Sequence, residues 1–222
     1  MTIKINYFGK KTETNYAIFC DDKLTLKAVR KDIPLATGNL INQFVSSIKN
    51  SKKNTIIFSI NPKQKIILIK INSKSTSNDI ENKGAEFYKI IKSEAIESVC
   101  LLQNNIKEFS QKNKNFLNEF LHGLRLKSYQ FNKYKTNTKN KDLNILLPKI
   151  FKKQLDKKNS KYISLLHGIN LTKDLVSEPG NILHPDEYVK RITQLKKIGL
   201  KIKIFDKKKL KKLGMNALLG VG

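Results

Sequence analysis

The chain has 222 residues, with 44 Lys and Arg against 18 Asp and Glu, a formal net charge of +26 and 39% hydrophobic residues. A chain of this length can bury about 70% of the surface its unfolded form exposes, so one large or two small domains need no disulfide framework. Cys20 and Cys100 are too few for such a framework or for a cysteine-based zinc site, and no apolar run reaches the ~18 residues of a membrane span.

The start, Met-Thr-Ile-Lys-Ile-Asn, lacks the apolar stretch of a signal peptide, and the sequence reads as soluble and cytoplasmic. Only three of the basic residues are arginines, Arg30, Arg125 and Arg191, whereas phosphate and base recognition favours the planar fork of arginine. The lysines are spread along the whole chain beside many Ile and Asn. They read as a solvated surface, with nucleic acid as the alternative partner.

Short apolar runs at Ile3–Phe8 and Tyr16–Cys20 predict two strands, the second closed by Asp21-Asp22. Leu40, Ile41, Phe44, Val45 and Ile48 form a helical stripe after Thr37-Gly38. Thr55–Ile60 and Lys65–Ile71 are β-branched runs around an Asn61-Pro62 turn. A polar loop from Asn72 leads into a helix beginning at Asp79, with Ile80, Phe87, Ile90 and Ile91 on one face and Glu94 to Glu97 at its end. Val99 to Leu102 is the next strand, and Lys107–Lys127 reads as one helix striped by Phe109, Phe116, Phe120 and Leu124. The polar stretch Lys135–Asp142 is the candidate boundary region, and Leu143–Leu147 is one more strand.

Lys149–Val176 carries a helical stripe that Glu178-Pro179-Gly180 stops. Pro185 followed by Asp186 and Glu187 opens another helix, with Tyr188, Ile192, Leu195 and Ile198 as its expected buried face. Leu200, Ile202 and Ile204 alternate with Lys201 and Lys203 as in a half-buried strand. Asp206 caps a short helix ending at Gly214, and Met215–Gly222 reads as the entrance to a further strand. Strands alternating with helices of this length make an α/β protein.

The residues by themselves show no active site. His122, His167 and His184 form no HxxxH or HExxH pair, and the first two read as packed or surface histidines, the third as a helix cap. Glu94 and Glu97 are expected to share a helix face as solvated carboxylates. No GxSxG elbow or GxxxxGK[ST] loop occurs, and Gly220-Val221-Gly222 alone is too short for a dinucleotide fingerprint.

Three strings are more specific. Residues 162–188, from Tyr-Ile-Ser-Leu-Leu-His-Gly-Ile-Asn-Leu through Ser-Glu-Pro-Gly-Asn-Ile-Leu-His to Pro-Asp-Glu-Tyr, resemble the helix and turn that open the catalytic domain of the leucyl (cytosol) aminopeptidases, peptidase family M17. Leu213–Gly222 is similar to the family's next motif, and Gly123–Thr136 to the segment closing its N-terminal domain. The resemblance implies a macro-domain-like N-terminal mixed-sheet α/β sandwich over 1–148. After it, 149–222 would hold the truncated beginning of an α/β aminopeptidase catalytic domain. It further implies a homo-hexamer that releases N-terminal residues from peptides with two divalent cations, manganese or zinc.

The family's metal and catalytic residues lie in motifs close to VGKGxTFDxGG and NTDAEGR, and neither string occurs in these 222 residues. No residue of the chain is therefore assigned as catalytic, cofactor-binding or metal-binding. The chain alone is expected to be inactive, a fragment whose active-site motifs would follow Gly222. Two smaller departures are Ile69–Lys74, where the family often has a glycine-rich strand end, and His184, where a Ser or Thr cap is commoner. The alternative function is a non-catalytic binding or assembly module that takes DNA.

Overall fold

The computed structural model of the chain describes residues 2–8, 14–48, 51, 53–136 and 142–221. Six strands are present: β1 (Thr2–Phe8), β2 (Asn15–Cys20), β3 (Thr55–Asn61), β4 (Gln64–Lys70), β5 (Ser98–Leu101) and β6 (Asp142–Pro148). They form one sheet in the order β1-β6-β5-β2-β4-β3, parallel throughout except for the antiparallel edge strand β3. Around it lie α1 (Leu35–Ser47), α2 (Ser77–Ser93), α3 (Gln103–Lys112), α4 (Phe116–Ser128) and the start of α5 (Lys152–Ser177). The α/β class and the mixed sheet are as the sequence leads one to expect.

Strand alternation sorts the core into two layers. Ala17 and Phe19 point to one face with Ile67, Ile69, Val99, Leu101 and Ile145, under Phe87, Phe116 and Phe120 of α2 and α4. Tyr16, Ile18 and Cys20 point to the other with Ile66, Leu68 and Cys100, under Ile41 and Val45 of α1. Because both faces are covered, the central strands are continuous apolar runs in sequence. The Phe19 ring meets those of Phe116 and Phe120 edge-on at 4.8 and 4.9 Å.

Glycine sets the contact between α2 and α4. A Cβ on Gly84 would stand 2.0 Å from the Phe120 carbonyl oxygen, and one on Gly123 would stand 1.8 Å from that of Glu81. Only hydrogen at these two positions allows the helix backbones to approach so closely.

Several elements differ from the sequence reading. Helix α2 begins at Ser77, not Asp79, because Asp79 is the third helical residue of a capping box: Thr76 N–H donates to Asp79 Oδ2 (2.8 Å) and Asp79 N–H to Thr76 Oγ1 (3.2 Å). The single helix expected over Lys107–Lys127 is two, α3 and α4. Asn113 caps the end of α3 in extended conformation, and its Oδ1 accepts the Asn115 N–H (2.8 Å), so the polar Asn-Lys-Asn stretch turns the chain. In the expected boundary stretch Lys135–Asp142, residues 137–141 lie outside the described residues.

The chain divides into two compact units, 1–168 and 169–222. The second contains the end of α5, then α6 (Pro185–Thr193), a 3-10 turn (Gln194–Ile198), α7 (Lys207–Lys212) and α8 (Asn216–Val221). None of its elements after α5 contains a buried residue. The expected buried face of α6 is open, with Tyr188 and Ile198 46% and 75% exposed. The strand expected at Leu200–Phe205 is absent, since no described strand lies beside it to complete a ladder. Met215–Gly222, read as a strand entrance, instead holds α8, where Asn-Ala-Leu-Leu are free to close a turn of local hydrogen bonds. The Asp206 cap is as expected, its Oδ1 accepting the Lys209 N–H (2.8 Å).

Candidate functional site

The candidate residues are dispersed. His122 sits in α4, 4% exposed, its Nδ1 3.0 Å from Glu81 Oε1 of α2; His167 in α5 is exposed. His184 occupies the N-cap position of α6, as expected, but its side chain makes no capping hydrogen bond. Cys20 and Cys100 are buried and not joined in a disulfide, and burial pushes the Cys20 thiol up to about 12, which removes it as a nucleophile. Glu94 and Glu97 do not share a helix face: α2 ends at Ser93, Glu94 is its C-cap paired with Lys65 at 2.6 Å, and Glu97 precedes β5. Among the described residues no group of three or more His, Cys, Asp or Glu side chains could hold a metal ion.

The densest polar assembly lies where α4 meets α2 and α5. Glu119, 3% exposed, accepts from Ser77 Oγ (2.8 Å) and Asn113 Nδ2 (2.7 Å), and is hydrogen-bonded to the Tyr162 phenol. Burial, then the negative charges of Glu119 and Glu81, hold the Tyr162 phenol above its ordinary pKa. The Tyr162 ring meets that of His122 edge-on at 5.4 Å. His122 Nε2 and Asn118 Oδ1, one turn apart on α4, are buried with no hydrogen-bond partner. The cluster is closed to solvent at its centre and bonded across three helices, so its chemistry is that of a polar clamp. The sequence reading missed it: Asn118, Glu119 and His122 sit among Phe116, Leu117, Phe120 and Leu121, and buried polar residues inside an apolar stripe were the only signal available.

A second missed residue is Asn105. It is 1% exposed, accepts the Phe19 N–H (2.8 Å) and donates to the Phe19 carbonyl (2.9 Å), closing the backbone at the carboxyl end of β2. An open cleft of about 890 Å³ lies by Ile5, Asn6 and Tyr7 of β1 and Lys149, Ile150, Lys152 and Lys153. Its three lysines give it the wrong sign for a cation.

In the second unit the Glu178-Pro179-Gly180 turn is tied to α6. Arg191 Nη1 donates to Glu178 Oε1 (2.7 Å) and its Nε to Glu187 Oε1 (3.0 Å), with the Glu178 side chain 1% exposed. The bond from Arg191 holds the Glu187 carboxyl below its usual range, and the two glutamates hold the guanidinium above its own. Arg191 thus fixes the turn, one of the strings that carries the family resemblance.

Residues 170–222 match the catalytic-domain model of the cytosol aminopeptidase family. Among curated relatives, the probable cytosol aminopeptidase of Phytoplasma mali is 44% identical over 108 residues, covering 46% of this chain and 22% of that protein. That of Afipia carboxidovorans is 42% identical over 103 residues, covering 45% and 21%. The chain thus spans about a fifth of the length of these relatives. Among solved structures, a mutant of tomato leucine aminopeptidase superposes with a TM-score of 0.68 at 14% identity, over 96% of this chain and 46% of that one. The cytosol aminopeptidase of Coxiella burnetii superposes at 0.59 with 16% identity, over 95% and 41%. These two likenesses show the fold, and no described helix is long and apolar enough to cross a membrane. The family match, the sequence relatives and the fold agree in making this chain similar to the cytosol aminopeptidase family, peptidase family M17.

Proposed function

We propose that the chain is the N-terminal portion of a leucyl aminopeptidase that releases N-terminal residues from peptides during intracellular peptide turnover in the cytoplasm. Residues 1–148 serve as an architectural domain and 149–222 open the catalytic domain, in an enzyme assembled as a homo-hexamer with two manganese or zinc ions. The observation that carries this reading is the match of residues 170–222 to the family's catalytic-domain model. The apolar residues that stand open in this stretch support it, among them Ile198, Leu200, Leu213 and Leu218, as surface of a larger domain.

The described residues do not fit the cation pair. They include no cluster of three or more potential ligands, His122 is spent on Glu81, and the cleft beside β1 is lined by Lys149, Lys152 and Lys153. No step of peptide hydrolysis is therefore assigned to a side chain of this sequence.

Joining residues 1–222 to the rest of the catalytic domain of the Phytoplasma mali relative tests the reading. The chimera is expected to release leucine from a leucyl amide with manganese or zinc, and to lose that activity to a chelator. A folded chimera without such release would overturn it. A second reading, a non-catalytic binding or assembly module that takes duplex DNA, rests on one observation, the formal net charge of +26.

A further inference from the structure

Three lysines gather where two parallel strands end. The cleft of about 890 Å³ is bounded by Asn6 and Tyr7 near the end of β1 and by Lys149, Ile150, Lys152 and Lys153, which follow β6 directly. Phe8 stands level with Pro148 in the β1–β6 pair, so the cleft opens at the carboxyl ends of both strands, where parallel sheets hold their ligands. Lys149 lies in a 3-10 turn (Lys149–Phe151), and Lys152 and Lys153 open α5. Their spacing of i, i+3 and i+4 brings the side chains to one side of a helical stretch, and all three are exposed.

The arrangement is costly by itself. Like charges at i, i+4 repel, and cations at the amino end of a helix, here one of 26 residues, oppose its dipole. No acidic residue stands in the first turn of α5 to offset them, and none of the described residues lining the cleft is acidic. Among the described residues none of the three lysines is paired with a carboxylate. Asp142, the one carboxylate of the two strands, lies at their amino ends on Lys4 (2.6 Å). Ile5 and Ile150, the latter 55% exposed, give the cleft apolar walls. A concavity of one charge with low-dielectric walls focuses a field that an open lysine surface disperses.

The ligand is set by charge. Lysine binds phosphate as a point charge, and a helix amino end favours the same anion. A single phosphate group brings about −1.5 to −2 charges at pH 7 against three ammonium groups, whereas two or three linked phosphates match them. We propose that the cleft is a binding site for a small polyphosphate, two or three linked phosphates held by Lys149, Lys152 and Lys153. The proposal goes beyond the aminopeptidase reading and holds or fails independently of it.

Isothermal titration of the 222-residue chain with sodium tripolyphosphate tests this at about 150 mM salt, where exposed charges are substantially screened. Saturable binding at a single site is expected. Lys149→Gln, Lys152→Gln and Lys153→Gln together should weaken it by about tenfold or more, as the loss of three exposed ion pairs would. Lys207→Gln, Lys208→Gln and Lys209→Gln on α7 remove the same charge at a distance and should weaken it by less than about threefold. Orthophosphate, with less charge, should bind the native chain about tenfold or more weakly than tripolyphosphate. In urea unfolding the cleft variant should be at least as stable as the native chain, because a repulsion is gone, and tripolyphosphate should stabilise the native chain but not the variant. The proposal is overturned by any one of four results: no saturable binding, an equal loss in the α7 variant, orthophosphate bound as tightly as tripolyphosphate, or a cleft variant less stable than the native chain.

Discussion

Replacing Gly123 by alanine sets two effects of opposite sign against each other. In a helix interior the change is worth about 1 kcal/mol in favour of alanine. Here the new Cβ would lie 1.8 Å from the Glu81 carbonyl oxygen, 2.5 Å from its carbonyl carbon and 2.7 Å from its Cα, all backbone atoms of α2 that no side-chain rotation can move. The helices must part by more than about 1 Å, and overpacking of this kind costs about 1–3 kcal/mol before lost contacts are counted. Parting α2 from α4 also loosens Phe87 against Phe120, whose ring centroids are 5.3 Å apart, and a gap of that size forfeits a quarter to a half of the dispersion at each contact. Packing therefore wins, by about 2 kcal/mol net, or a fall of ~4–8 °C in Tm for a chain of this size. Gly84→Ala, 2.0 Å from the Phe120 carbonyl, should behave alike, and the double variant should fall short of the sum because one displacement relieves both clashes. Gly168→Ala, whose Cβ meets nothing within 4 Å, should leave stability unchanged or raise it by up to ~1 kcal/mol. Urea unfolding followed by far-UV circular dichroism reads all four. A Gly123→Ala protein as stable as the Gly168→Ala one would refute the close-approach account.

Asn105→Leu should cost about 2–4 kcal/mol in the same urea assay, because it leaves both the N–H and the carbonyl of Phe19 buried without partners; a loss under ~1 kcal/mol would contradict their dependence on Asn105. The Thr76 bonds hold the Asp79 carboxyl below its ordinary pKa, so its contribution is present above the unfolded carboxylate value near 4 and is lost as pH falls through the depressed folded value. Asp79→Asn should flatten that acid limb of the stability curve, and an unchanged limb would count against the capping box as its source. Binding to duplex DNA should be sequence-blind and largely lost between low and about 150 mM salt; a hundredfold preference for one duplex in a competition titration at that salt would overturn the surface reading of the charge.

How much could be read from the sequence follows the range of the interactions. The core strands were legible because Ile66 to Ile69 and Tyr16 to Cys20 are apolar on both faces, a pattern their own residues carry. The break at Asn113 was not, because the apolar period of α3 runs on into α4 and only a local Asn side-chain bond interrupts it. Leu200–Phe205 failed for the opposite reason: its alternation is that of a strand, but a strand exists only in a ladder, which its own residues cannot supply. At the candidate site, the dispersal of the histidines was visible in their spacing. The Glu119, His122 and Tyr162 cluster was hidden, because it joins residues of three helices that only the fold brings together.

The central claim is the proposal that this chain is part of an aminopeptidase, on a fold like that of solved leucine aminopeptidases, while its described residues include no cluster that could hold the cation pair. The direct measurement is hydrolysis of a leucyl chromogenic amide by the repurified 222-residue chain with manganese or zinc, beside a metal-only control. The account predicts no release above the control with either cation. Release that survives repurification and disappears with a chelator would contradict it, since it would require a metal site made of residues present in the chain.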